Sequence, residues 1–236
     1  FASNLFSSAT GQVDFLTAES FYTPQQLFSL DGMPHSIAYV RVGAPVGEHG
    51  DWTIRGAISQ ADLSSWLVAG SYATRGQARH RYDVGLSYST QRYGGANQLA
   101  LRDVTDGSRN VGSVRAYDRL TLTPLATLVY GATFDRYDYL VDGNLVSPRV
   151  ELVLTPGEGW RVSGLVNQRS LAPGAEEFLP PNDSGMWLPP QRTFSSLDPS
   201  RPFVAERMLQ AAVALEREWG PSTVAVRAFR QRTDDQ

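Results

Sequence analysis

Arg81 to Ser89 reads RYDVGLSYS. Tyr82, Val84, Leu86 and Tyr88 alternate with Arg81, Asp83, Gly85, Ser87 and Ser89. An apolar residue at every second position describes an extended strand with one apolar and one polar face. The same period recurs on both sides of it. Trp52, Ile54, Gly56 and Ile58 alternate with Thr53, Arg55, Ala57 and Ser59. Ala126, Leu128, Tyr130, Ala132 and Phe134 do so later, as do Val150, Leu152 and Leu154.

Read this way, the chain predicts strands over 12–18, 36–44, 51–60, 64–75, 80–92, 110–121, 125–139, 147–155, 160–170, 204–218 and 222–232. Residues 204–218 also fit a helix, because Ala and Glu favour one locally; strand is preferred there because both neighbours are strands. Many of these segments are long. Soluble strands average about 5 or 6 residues, whereas strands that cross a bilayer need about 9 to 11.

The connections fall into two alternating classes. Val46–Gly50, Gly76–Arg79, Leu122–Pro124, Pro156–Gly159 and Gly220–Ser222 are short. Tyr93–Arg109, Val141–Val146 and Leu171–Phe203 are longer, with Ala61–Leu63 as the exception in that class. Short turns at one end of a sheet and long loops at the other characterise outer-membrane barrels. Trp52, Trp160 and Trp219 lie next to short turns, and Tyr93, Tyr137 and Tyr139 lie at the opposite strand ends. Such rings form interfacial girdles on membrane barrels. Large aromatics capping the core of a soluble sandwich would look the same.

Composition narrows the function classes. Of 236 residues, 42% are hydrophobic and 19% charged, so the chain can build a core. Its 21 basic residues are all Arg, against 24 acidic ones, and a net charge of −3 makes no case for nucleic acid. Without Lys there is no P-loop, Schiff base or Ser–Lys pair. Without Cys there is no disulfide, thiolate metal site or thiol nucleophile. His35, His49 and His80 are scattered, HExxH, GxSxG and GxGxxG are absent, and Ser, His and Asp form no triad pattern. No catalytic residue, metal site or cofactor is expected, and the chain is not read as an enzyme. No apolar run is long enough for a membrane helix. The chain starts at Phe1 without a basic head and apolar core, and it ends in polar sequence, so a piece of a longer protein is expected.

Leu171–Phe203 is the informative connection. Leu179-Pro180-Pro181 recurs nine residues on as Leu188-Pro189-Pro190. Proline lowers the entropy lost when a loop becomes ordered. Phe178, Met186, Trp187 and Phe194 would be costly in water, so the loop is expected to fold on itself or into a barrel mouth. Glu176, Glu177, Phe178, Asp183, Trp187 and Arg192 are the candidate ligand-binding residues. A structural plug or lid with surface charges fits the same segment. The polar strand faces carry Arg55, Arg81, Asp83, Asp135, Arg149, Glu151, Arg161 and Arg169, suited to lining a wet lumen.

Seven stretches carry a resemblance: SIAYVRVGAP (36–45), GDWTIRGAISQADLSSWLVAGSY (50–72), YDVGLSYSTQRY (82–93), DGSRNVGSV (106–114), LAPGAEEFLPP (171–181), WLPPQRTFS (187–195) and VRAFRQRTDDQ (226–236). On these the chain resembles the barrel portion of TonB-dependent outer-membrane receptors, of the acidobacterial type with a carboxypeptidase-regulatory-like domain. The resemblance implies an all-β, antiparallel up-and-down transmembrane β-barrel of about 22 strands, of which this chain holds about 10 or 11. It further implies a plug domain and a TonB coupling complex, both outside this chain, outer-membrane lipid around the wall, and uptake of a small ligand into the periplasm. Residues 1–35 are read as a leading segment with the first strand, and 36–236 as partial barrel with long loops at 93–109 and 171–203. A passive channel or adhesin barrel, or a soluble all-β ligand-binding module, stays open beside this reading.

Overall fold

The computed structural model describes residues 9–17, 36–60, 63–76, 78–94, 107–179, 187–190, 192, 194 and 202–234. Eleven strands run β1 (Thr10–Thr17), β2 (Ser36–Val46), β3 (Gly50–Gln60), β4 (Leu63–Thr74), β5 (His80–Tyr93), β6 (Ser108–Thr123), β7 (Ala126–Tyr137), β8 (Asn144–Gly157), β9 (Trp160–Leu171), β10 (Glu206–Trp219) and β11 (Ser222–Asp234). They form one sheet in chain order with β1 and β11 at its edges. Each strand pairs antiparallel with the next, so the topology is up-and-down and the sheet is open. The ambiguous segment 204–218 is strand β10, bonded on both sides.

The predicted connectivity holds. The turns after β2, β4, β6, β8 and β10 lie at one end, and the β5–β6, β7–β8 and β9–β10 loops at the other. Gly47, Gly159 and Gly220 supply positive φ in three of the short turns. The β3–β4 connection, residues 61–62, lies outside the described residues. Strand β7 stops at Tyr137, two residues short of the predicted end, because the Asp138 carboxylate, at 2.7 Å, takes the Asn110 backbone N–H that its own carbonyl would accept in a continued ladder.

Register separates the two faces. On one face Tyr39 opposes Ala57, Ala57 opposes Leu67, Leu67 opposes Ser89, Ser89 opposes Val111 and Val111 opposes Tyr137. One rung nearer the long-loop end, Ile37, Ser59, Ser65, Gln91 and Arg109 stand in line. All eleven of these residues are buried. Between the two rungs the opposite face shows Ile58 and Trp66, exposed at 44% and 42%. Further along that outer face stand Val84, Leu86, Val150, Leu152, Leu209, Val213 and Leu215, all exposed. A continuous apolar exterior of this kind suits lipid and not water. Tyr137 and Tyr139 depart from the predicted girdle: both are buried on the inner side, because Tyr137 shares its rung with Val111.

One acidic group on the outer face is buried by its neighbours. Asp118 is 6% exposed there. His80 Nδ1 lies 2.6 Å from its carboxylate, the Tyr130 hydroxyl donates at 3.0 Å and the Arg81 backbone N–H at 3.2 Å. Its neighbours therefore shield and satisfy the charge.

Candidate functional site: a loop folded onto the inner wall

The inner face is covered at its long-loop end by the β9–β10 connection. This segment leaves β9 at Leu171 and makes one helical turn, α1 (Ala175–Phe178). Gly174 precedes α1 at φ 72°, and a Cβ there would lie 2.1 Å from the Phe194 ring. Only glycine allows both the turn and that close approach. Ala175 and Phe178 are fully buried. They pack with Val111, Tyr137, Tyr139, Leu145 and Ala205, and Phe194 and Phe203 flank the cluster. Tyr139 contacts Phe178, Phe194 and Phe203 at centroid distances of 6.0, 5.5 and 6.1 Å. Its hydroxyl donates to the Pro173 carbonyl at 2.9 Å, and burial raises its pKa well above the ordinary phenol value.

Arg109 holds this part of the loop from β6. Its guanidinium sits 3.9 Å from the Phe194 ring centroid, 5.4 Å from Tyr139 and 5.8 Å from Phe203. It also donates to the Phe194 carbonyl at 2.5 Å. A second anchor lies over β2–β4, where Trp187 packs with Tyr39, Ala57 and Leu67. Pro190 is fully buried, and its carbonyl accepts the Ser65 hydroxyl at 2.6 Å. Between the anchors Ser89 Oγ donates to the Phe178 carbonyl at 2.8 Å, and Gln91 Nε2 to that of Arg192 at 2.5 Å. Loop carbonyls that would be stranded on a dry surface thus meet donors from the wall.

The six predicted ligand-binding residues fall into distinct places. Phe178 and Trp187 are buried against the wall. Glu177 pairs with Arg192 at 2.7 Å, and the Arg192 side chain is 79% exposed. Glu176 is exposed on α1. Asp183 lies outside the described residues. Sequence reading missed Ser65, Ser89, Gln91 and Arg109. Polar residues at the loop end of an inward face were their only signal.

Below the loop the next two inner rungs line a cavity of about 240 Å³. Its polar wall includes Thr53, Arg55, Ser113, Arg115 and Asp135, and Leu179 and Trp187 close it from the loop. A neighbouring cavity of about 320 Å³ shares Asp135 and Leu179 and adds Arg149, Asn167 and Arg169. Arg115 reaches Asp83 at 3.3 Å and Arg149 reaches Glu151 at 2.7 Å. Arg55 faces Arg41 directly across β2–β3. Trp187 Nε1, Asp135 Oδ1 and Asn167 Oδ1 are buried without a hydrogen-bond partner among the described residues. The arrangement offers one indole donor, two acceptors and several guanidinium groups to whatever enters.

An open up-and-down sheet with apolar exterior, polar interior and an infolded long loop defines part of the wall of a large membrane β-barrel. No protein-family model and no curated protein sequence matches this chain. Solved structures do. A ferric enterobactin receptor from Pseudomonas aeruginosa matches with a TM-score of 0.62 at 11% identity, over 98% of this chain and 41% of the receptor. The siderophore receptor PirA from Acinetobacter baumannii matches at 0.61 and 11%, over 85% of this chain and 35% of its own. The FrpB iron transporter from Neisseria meningitidis matches at 0.51 and 12%, over 97% and 41%. The fold of this chain is therefore that of the barrel of TonB-dependent receptors, and the chain spans less than half the length of those receptors.

Proposed function

We propose that this chain is part of the wall of a TonB-dependent outer-membrane transporter that takes up a small ligand at its long-loop end. Residues 1–35 are an entry segment with the first strand, and residues 36–236 are a partial barrel with long loops at 93–109 and 171–203. A plug domain and the energy-coupling complex act from outside this chain. The observation that carries the reading is the β9–β10 loop, docked over a polar cavity on the inner wall. The likeness to siderophore and iron receptors supports it.

In this reading Glu176, Glu177, Asp183 and Arg192 meet the ligand at the mouth. Trp187 offers its indole N–H, unpartnered among the described residues, from the cavity roof, and Phe178 fixes the loop that presents them. Reaching the cavity requires binding and displacement and no covalent chemistry. Conductance of the full-length protein in a planar bilayer with potassium chloride tests this. A transporter stays closed until its plug is deleted or unfolded, then conducts. Steady conductance with the whole protein intact means a passive channel instead.

A further inference from the structure

Two indoles and one guanidinium meet on the outer face at the short-turn end. Trp160 opens β9, Arg217 is its cross-strand partner in β10, and Trp219 closes β10. The Arg217 Cζ lies 4.5 Å from the Trp160 ring centroid and 5.3 Å from that of Trp219. Both are within the roughly 6 Å over which a ring face attracts a cation. Trp219 is 74% exposed. The nearest acidic neighbours in sequence point the other way: Glu216 faces inward and pairs with Arg161 at 3.7 Å, and Glu218 shares that inner face. Among the described residues no carboxylate forms an ion pair with Arg217.

We propose that Arg217, Trp160 and Trp219 bind the phosphate of a phospholipid headgroup in the leaflet beside the short turns. This rests on reading the sheet as a membrane wall. A guanidinium stacked on rings keeps its in-plane N–H donors free, and that planar fork matches phosphate oxygens. Indoles settle at the membrane–water interface, which sets the height of the group. One rung deeper stand Leu215, Val162 and Val226, with Leu215 and Val226 well exposed. Free phosphate would satisfy the cation and leave this apolar row in water. A phospholipid satisfies both, with its acyl chains along the row.

The full-length protein is reconstituted into phosphatidylcholine vesicles holding a minor fraction of phosphatidylglycerol. It is then extracted in mild detergent, and native mass spectrometry counts the retained phosphatidylglycerol. An Arg near the surface favours anionic lipid enough for roughly fivefold higher occupancy. Wild type should retain one phosphatidylglycerol that Arg217→Gln loses by about that factor, while Arg161→Gln, which faces inward, matches wild type. Equal retention by Arg217→Gln and wild type, or an equal loss in Arg161→Gln, overturns the site. Failure of the protein to float with the vesicles overturns the membrane-wall reading itself, and is seen before any lipid is counted.

Discussion

Arg109 and Arg217 make the same interaction at opposite ends of the sheet, with opposite results. Arg109 is stacked among Phe194, Tyr139 and Phe203 in a dry cluster, and its Nη2 donates to a loop carbonyl. Arg217 is stacked between Trp160 and Trp219 on an exposed rim, with no ion pair among the described residues. The ring contacts hold the guanidinium plane in both places. What its edge meets decides the role. An edge closed by a backbone carbonyl makes a rivet, and an edge left open makes a docking point.

The comparison can be broken most forcefully at the rivet end. Phe178→Ala empties a fully buried site and should cost about 3–5 kcal/mol of loop docking. In hydrogen exchange, amides of residues 172–179 should lose protection while the β3–β4 and β4–β5 ladders keep theirs. Simultaneous loss in those ladders would mean that loop and wall form one cooperative unit. Arg109→Leu strands the Phe194 carbonyl and removes three ring contacts, a loss of about 3 kcal/mol. Arg109→Lys should not rescue it, because an ammonium cannot lie flat among three rings. Limited proteolysis in the β9–β10 loop reads both variants, and a lysine variant as resistant as wild type would refute the stacking argument.

Glu177→Gln sharpens the contrast from the middle. Its partner is 79% exposed, so the pair should contribute under about 1 kcal/mol. Added salt should erase the difference between variant and wild type in the same proteolysis. A larger, salt-insensitive loss would place Arg192 in the docked core. The smallest expected effect on folding belongs to Arg217→Gln. Its unfolding midpoint should match wild type, with the change confined to lipid retention. A lowered midpoint would make Arg217 a second rivet.

Most of the wall was legible from alternation, because a two-residue period and a two-sided environment are the same fact. Tyr82, Val84 and Leu86 fall on the outer face and Arg81, Asp83 and Ser87 on the inner, as their pattern requires. Tyr137 and Tyr139 show the limit of that reading. A ring at a strand end looks alike whether it meets lipid or a returning loop, and only the loop's path distinguishes them. The same holds within the site. Proline and aromatic content announced that Phe178, Trp187 and Phe194 would pack, and they do, but nothing local marks Ser65 or Ser89 as acceptor-seeking partners of the loop. Arg109 was read as the last residue of a loop. It is the second residue of β6 and points inward, because Gly107 at φ 76° starts the strand earlier.

The hydrogen bonds that tie the loop down also imply an order of assembly. The hairpins β2–β3, β4–β5, β6–β7, β8–β9 and β10–β11 close over short turns, whereas Ser65 meets Pro190 across 125 residues, Gln91 meets Arg192 across 101 and Ser89 meets Phe178 across 89. Contacts so distant in sequence cannot reward the chain until the strands between them are in place. The wall is built neighbour by neighbour, and the loop settles last, onto a surface that must already be complete from β2 to β7.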